Sequence, residues 1–405
     1  MKKLVIGFLV FAVLLSLSGC SALPISFPKI DRHPPAANYA WGKMTALPTY
    51  DPNSTNAWQM DLRSRDLSGL DLRQSLDDLT YAHFDTGTVW PSAGMLPADF
   101  DWPTILDLGK NPGLGVRSLQ AQGIDGKGVG IAIIDQPLIV DRQEYGSRMQ
   151  LYEEIGVLPT TESQMHGPAV ASIAAGDTVG VAPEADLYYI GAWTGDWAMD
   201  GSGAFTPNFL YYAQAVRRVL QINQQLSVGH KIRVIAMQTG WSPGQTGYNE
   251  ITAAVLDARN AGLLVVSSNL EQTFGFKFQG LGRAPMADPD RFESYEPGLF
   301  WAKDFYAGNQ PTDQLLVPMD SRTTAGPTGA SEYVFYRQGG WSWAIPYIAG
   351  VYALAAQVKP SITPAEFWAS ALKTGRTIQL NHAGQTIPFG PIVDPVALVA
   401  ALKTP

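Results

Sequence analysis

A chain of 405 residues, 46% of them hydrophobic and only 16% charged, is long enough for one large domain with a smaller unit beside it and too apolar to be largely disordered. The formal charge of −8 argues against general affinity for nucleic acid, so no nucleic-acid partner is expected. A single cysteine excludes an intrachain disulfide framework.

The chain opens with MKKLVIGFLVFAVLLSLSGC, in which two lysines precede an apolar run and then small residues. This is the layout of a secretory signal, assigned to residues 1–19. Its end, Leu17-Ser18-Gly19-Cys20, resembles the bacterial lipobox, which implies that Cys20 is lipidated and becomes the mature N-terminus. Several acyl chains on one residue meet the requirement for stable anchoring. The implied location is the cell envelope, on the outer side of the cytoplasmic membrane or at the outer membrane of a Gram-negative cell. Residues 20–55 are rich in proline and polar residues with no period of two or 3.6, and read as a lipid-anchored linker or extended arm.

Residues 56–112 form an N-terminal extension. Leu62, Leu67 and Leu72 lie five apart, and so do Leu79, Phe84 and Val89. The pattern is similar to a degenerate pentapeptide repeat, which stacks every fifth side chain inward. One or two coils are fewer than a repeat array needs to stand alone. Ordinary Asp-Leu turns packed on the main domain account for the same pattern.

From about Gly113 near-continuous apolar strands alternate with helical segments, which predicts a domain over 113–405. The strands are Val129–Ile134, Ala185–Ile190, Ile232–Met237 and Leu263–Ser267. Between them, helical spacing appears at Val170–Ala175, Asn208–Gln224 and Asn249–Ala261. The expected fold class is α/β, a doubly wound and mainly parallel sheet with helices on both faces. Two closing helices are expected, Ser342–Val358 and Pro364–Thr374, the second with Thr363 as N-cap. Residues 270–330 have no clear period and read as surface loops forming a ligand-binding rim.

The chemistry narrows through the five histidines. His33 and His83 precede the sheet domain, and His230 and His382 lie in polar turns. His166 stands apart, at the start of a small-residue helix, while Asp135 ends the strand IAIID at its carboxyl end, where parallel sheets place their sites. Ser342 sits in GGWSWAIPYIAG at the mouth of an apolar helix. A catalytic serine needs a base to take its proton and an acid to orient that base.

Three blocks, GKGVGIAIID, HGPAVASIAAG followed by GVAPEADLY, and GGWSWAIPYIAGVYALA, resemble the signature blocks of the subtilisin-like serine proteases (subtilases), in the order Asp, His, Ser. The strand Gly262–Asn269 is similar to the one that ends in that family's oxyanion asparagine. The resemblance implies Ser342 as nucleophile, His166 as general base, Asp135 as its orienting acid, and Asn269 with the Ser342 backbone N–H as oxyanion donors. It also implies that Thr239, Gly240 and Trp241 form the edge that pairs with an extended peptide. Trp341 and Trp343, flanking the serine, are expected as walls of the substrate cleft.

The resemblance implies a serine endopeptidase with a peptide or protein substrate and no required cofactor. Acidic residues within 284–304 have no recognisable calcium-ligand spacing, and no metal is assigned. The flanks depart from the family pattern: Gln136-Pro137 follow the acid, Pro168-Ala169 follow His166-Gly167, and Ile345 and Tyr347 lie beyond Ser342. These departures keep a second reading open, a relative that binds peptides or proteins without cleaving them. A nucleophile elbow of the hydrolase type is excluded, because only His382 and then Asp394 follow Ser342, the reverse of the order required.

Overall fold

The computed structural model describes residues 25–197, 204–310 and 313–403. The proposed signal segment and Cys20 lie outside the described residues. Six strands form the central sheet: β1 (Lys29–Ile30), β2 (Gly130–Asp135), β3 (Met149–Ile155), β4 (Asp186–Ala192), β5 (Ile232–Met237) and β6 (Leu264–Val266). Their spatial order is β1-β3-β4-β2-β5-β6, and every neighbouring pair is parallel.

Alternation along β2 assigns its two faces. Ile131 and Ile133 pack into a core shared with helices α1 (His166–Ala175) and α4 (Trp341–Val358), whereas Ala132 and Ile134 face α2 (Leu210–Gln225) and α3 (Tyr248–Asn260). The chain is therefore a mixed α/β protein, with helices against both faces of an all-parallel sheet. β2 was laid down first among its neighbours and later strands were added on both its sides, so the crevice at the carboxyl ends of β2 and β5 is a topological switch point.

Several elements escape sequence patterning. Met149–Ile155 (MQLYEEI) carries two glutamates that pair with basic side chains: Glu153 with Lys29 of the N-terminal arm and Arg218 of α2, and Glu154 with Arg32 of the arm. The stretch expected as a linker or extended arm is bound to the body from residue 25 onward, with Lys29–Ile30 adding an edge strand and the Ser163 N–H donating to the Pro35 carbonyl. Residues 270–330, expected as loops, contribute Lys277–Arg283, Tyr295–Pro297 and Gln314–Pro318 to a second, five-stranded sheet. Its remaining strands, Arg376–His382 and Gln385–Ile392, form a hairpin whose turn holds Ala383 and Gly384 at φ of 49° and 80°.

The extension repeats with a period of five in its hydrogen bonds. Asp61, Asp66 and Asp71 each accept from the N–H two residues on, and Leu62, Leu67 and Leu72 each accept from the N–H three residues on. The three leucine side chains are buried, while their N–H groups donate to His83, Val89 and Met95 on the next coil. Leu79 and Phe84 also point inward, but Val89 is 50% exposed, because the second coil turns its face at Trp90 to pack on Phe84. Phe84–Asp85 then joins an antiparallel sheet with Tyr333–Tyr336, which in turn pairs with Arg322–Ala325.

Candidate active site

Asp135 ends β2 with its side chain almost wholly buried, and its Oδ1 accepts the Gln136 N–H at 2.7 Å. The same oxygen lies 2.8 Å from Nδ1 of His166, the first residue of α1. That bond fixes the ring so that Nε2 faces away from the carboxylate, the orientation a proton carrier needs. The close approach depends on Gly167: a Cβ there would lie 2.3 Å from the Gln136 carbonyl oxygen and 2.7 Å from the Tyr189 hydroxyl. Pro137, which departs from the family pattern, accepts the Gln164 N–H through its carbonyl and so closes the loop that carries His166.

Ser342 is the second residue of α4, partly exposed, after Gly340 has entered the helix in extended conformation. Its neighbour Trp343 packs edge-to-face on the His166 ring with centroids 5.4 Å apart, so the residue next to the serine rests on the imidazole. Ser342 Oγ makes no hydrogen bond among the described residues. Nucleophile–base bonds commonly tighten only once substrate is bound. Pro346 lacks the N–H that would engage the Ser342 carbonyl four residues back, so the first turn of α4 is held largely by its surroundings.

Those surroundings include a residue that sequence reading missed. Asp320 is buried and accepts the Gly339 N–H at 2.7 Å and the Leu299 N–H at 2.8 Å, tying down the chain three residues before Ser342. Burial pushes its carboxyl up to about 6. No motif marks it; its partners are 19 and 21 residues away in sequence.

Other expected site residues stand differently. Asn269 spends both amide atoms on one residue, Oδ1 accepting from the Trp241 N–H at 2.8 Å and Nδ2 donating to the Trp241 carbonyl at 2.9 Å. It clamps the loop after β5, and Gly240 is required beneath it because a Cβ would come within 2.8 Å of Asn269 Oδ1. The Trp241 indole is 4% exposed and its N–H donates to Thr252 Oγ1, because α3 covers it, so this residue offers its backbone rather than its ring to the edge expected to pair with peptide. Trp343, expected as a cleft wall, is instead a buried ring between His166 and Tyr336. Trp341 does face outward, 36% exposed, lying over Phe278 and donating to Gln279 Oε1 at 2.6 Å.

Two depressions include residues of this region, His166 in one and Trp341 in the other. One, of ≈170 Å³, is lined by Asp135, His166, Trp193, Gln238 and Thr239. Both side-chain amide atoms of Gln238 are buried without a partner, a cost that sequence gave no sign of. The other, of ≈180 Å³, lies between Ser268, Glu271, Gln279 and Trp341. Larger depressions occur elsewhere, but they lie away from the histidine and serine. Among the described residues, no group of three His, Cys, Asp or Glu side chains gathers as a metal site, and no helix is long and apolar enough to cross a membrane.

Comparison with known proteins places this geometry. Residues 121–294 match the Subtilase family model (Peptidase_S8), a span that includes Asp135, His166 and Asn269 and ends before Ser342. Among curated proteins the chain is similar to the subtilisin-like protease PopC of Myxococcus xanthus (strain DK1622), 35% identical over 85 residues. That match covers 18% of this chain and 18% of PopC, so the chain spans under a fifth of the curated relative. Among solved structures it is similar to the prenylagaramide maturation protease PagA, with a TM-score of 0.47 and 14% identity, over 71% of this chain and 98% of that one.

Proposed function

The chain is a member of the subtilase family, the subtilisin-like S8 peptidases, and from that premise we propose that it is a serine endopeptidase acting on peptide or protein substrates. Ser342 attacks the peptide carbonyl, His166 takes its proton and later delivers it to the leaving amine, and Asp135 holds the imidazole in the required tautomer. The new C–O bond forms as the carbonyl π bond opens. The C–N bond then breaks to give an acyl-enzyme, which water resolves through the same histidine. The Ser342 backbone N–H, free in the first turn of α4, is assigned to the developing oxyanion. Asn269 is assigned as its second donor through the Nδ2 hydrogen not given to Trp241. The finer arrangement proposed is the doubly wound subtilisin fold.

The reading is carried by one observation: a buried carboxylate 2.8 Å from His166 Nδ1, with the residue next to Ser342 packed on the same imidazole. The cleft beside it, lined by Thr239 and the unpartnered amide of Gln238, is assigned to the substrate chain, as is the exposed face of Trp341. We further propose that the protein is exported and held at the cell envelope through lipidated Cys20.

Labelling with a fluorophosphonate probe tests the chemistry. Wild type is expected to be modified at Ser342, and Ser342→Ala and His166→Ala are expected to lose the label while keeping the wild-type circular dichroism. A folded wild type that takes no label refutes the proposal. The absence of a Ser342–His166 bond and the engagement of Asn269 by Trp241 favour the second reading, a peptide-binding relative without catalysis. Capture of peptides without cleavage would establish that reading.

A further inference from the structure

The N-terminal coil reaches the site through one side chain. Tyr336 ends the strand that precedes α4 and is fully buried. On one side it meets the coil: Arg63 Nη1 donates to its hydroxyl at 3.4 Å, the guanidinium lies 5.6 Å from the ring centre, and Trp58 and His83 close against it at 6.0 Å. Asp61 holds Arg63 in a two-pronged pair, both bonds 2.7 Å long. On the other side the Tyr336 ring meets Trp343 edge-to-face at 5.0 Å, and Trp343 meets His166 at 5.4 Å. The backbone follows the same route, since Phe84 pairs with Phe335 and Arg337 Nε donates to the Thr80 carbonyl at 3.1 Å.

We propose that the Asp61–Arg63 pair is a positioning device for the His166 imidazole, acting through Tyr336 and Trp343, so that the N-terminal coil is a working part of the active site. The inference rests on the reading of His166 as general base. The Trp343 indole has no hydrogen bond to fix it, since its N–H is buried without a partner. Packing sets its place, and among the described residues the rings that meet it are Tyr336 and His166. A displacement of Tyr336 is therefore passed to the imidazole and to Ser342, and misplacement of about 1 Å at a reacting group costs on the order of a hundredfold in rate. Arg63 is suited to the task because its planar fork is locked by a carboxylate while its face lies 4.6 Å over Trp58.

The test uses the full chain and Arg63→Met, which keeps the aliphatic stem and removes the fork. Two quantities are read at a temperature where circular dichroism shows both proteins folded: the pH profile of fluorophosphonate inactivation, and the NMR titration of the His166 imidazole. Burial pushes His83 down to about 4, so it stays neutral across the assay and does not contribute to the profile. The expected result is inactivation slower by roughly ten- to a hundredfold, with a displaced pH profile and a shifted His166 titration. An Arg63→Met protein with the wild-type rate and profile overturns the positioning role while leaving the peptidase reading intact. A wild type that never reacts defeats the peptidase reading instead, and an unchanged His166 titration in Arg63→Met then overturns the positioning role by itself. Should Arg63→Met not fold, Tyr336→Phe, which keeps the ring and removes the partner of Arg63, decides by the same two measurements.

Discussion

Asp320 shows how a single buried group holds the loop that precedes Ser342 and makes it sensitive to pH. Its carboxyl rises from 3.8 to about 6 because burial disfavours the charge, against the opposing pull of Arg337 and of the Leu299 and Gly339 N–H groups. The folded chain therefore binds this proton more tightly than the unfolded chain does. The stability the group contributes is fully present below pH 3.8 and is lost as the pH rises through about 6. Asp320→Asn removes the titration, so thermal melts between about pH 4 and 7 are expected to show the mutant gaining on wild type as the pH rises, by at most about 3 kcal/mol. A difference that does not change with pH would contradict the assignment.

Among the elements, the coil is the one whose stability depends most plainly on period. Each leucine of its first three corners is sealed by the next coil, and the i to i+3 bond at each corner turns the chain by about a quarter of a coil. Leu67, fully buried at the middle corner, fills a core with Phe84, Phe100 and Phe335. Leu67→Ala is expected to cost about 2–5 kcal/mol, read as a fall in the denaturant midpoint. Because Phe335 belongs to the strand that leads to Ser342, this variant is also expected to unfold in the same transition as the main sheet. Two separated transitions would show the coil to be an independent unit.

At the scale of the whole molecule, the proposed anchor and the site are joined by a short tether. The Ile25 N–H already donates to Gln225 Oε1 at 2.8 Å, and the arm then runs along β3. Four residues lie between Cys20 and Ile25, so the five Cα-to-Cα steps span at most roughly 18 Å. Under the lipidation proposal the body is held against the membrane surface, and the peptidase acts on substrates presented there. Cys20→Ser is expected to abolish incorporation of labelled palmitate and to move the protein from the membrane to the soluble fraction. Retention in the membrane fraction would exclude the thiol as the anchor.

The residues proposed to carry proton transfer stand out in the sequence because the chemistry assigned to them depends on local sequence. Asp135 must end an apolar strand, His166 must precede a helix of small residues, and Ser342 must open a helix, and each condition leaves a pattern within about ten neighbours. The central strands and helices were legible for the same reason, since burial on both faces writes itself as continuous apolar runs. What only the tertiary structure decided is pairing across distance. Glu153 and Glu154 disguised a sheet strand because their partners are distant in sequence, Lys29 and Arg32 on the N-terminal arm and Arg218 on α2. Trp341 and Trp343 both read as cleft walls because an indole in sequence carries no sign of which face will be covered; Tyr336 and His166 cover Trp343, while Trp341 stays open. Asp320 and Arg63 act through backbone and ring contacts that no spacing encodes. Composition and period thus determined which groups exist and on which elements they ride, while packing between distant segments determined which of them stay open at the surface and which are buried to hold the others in place.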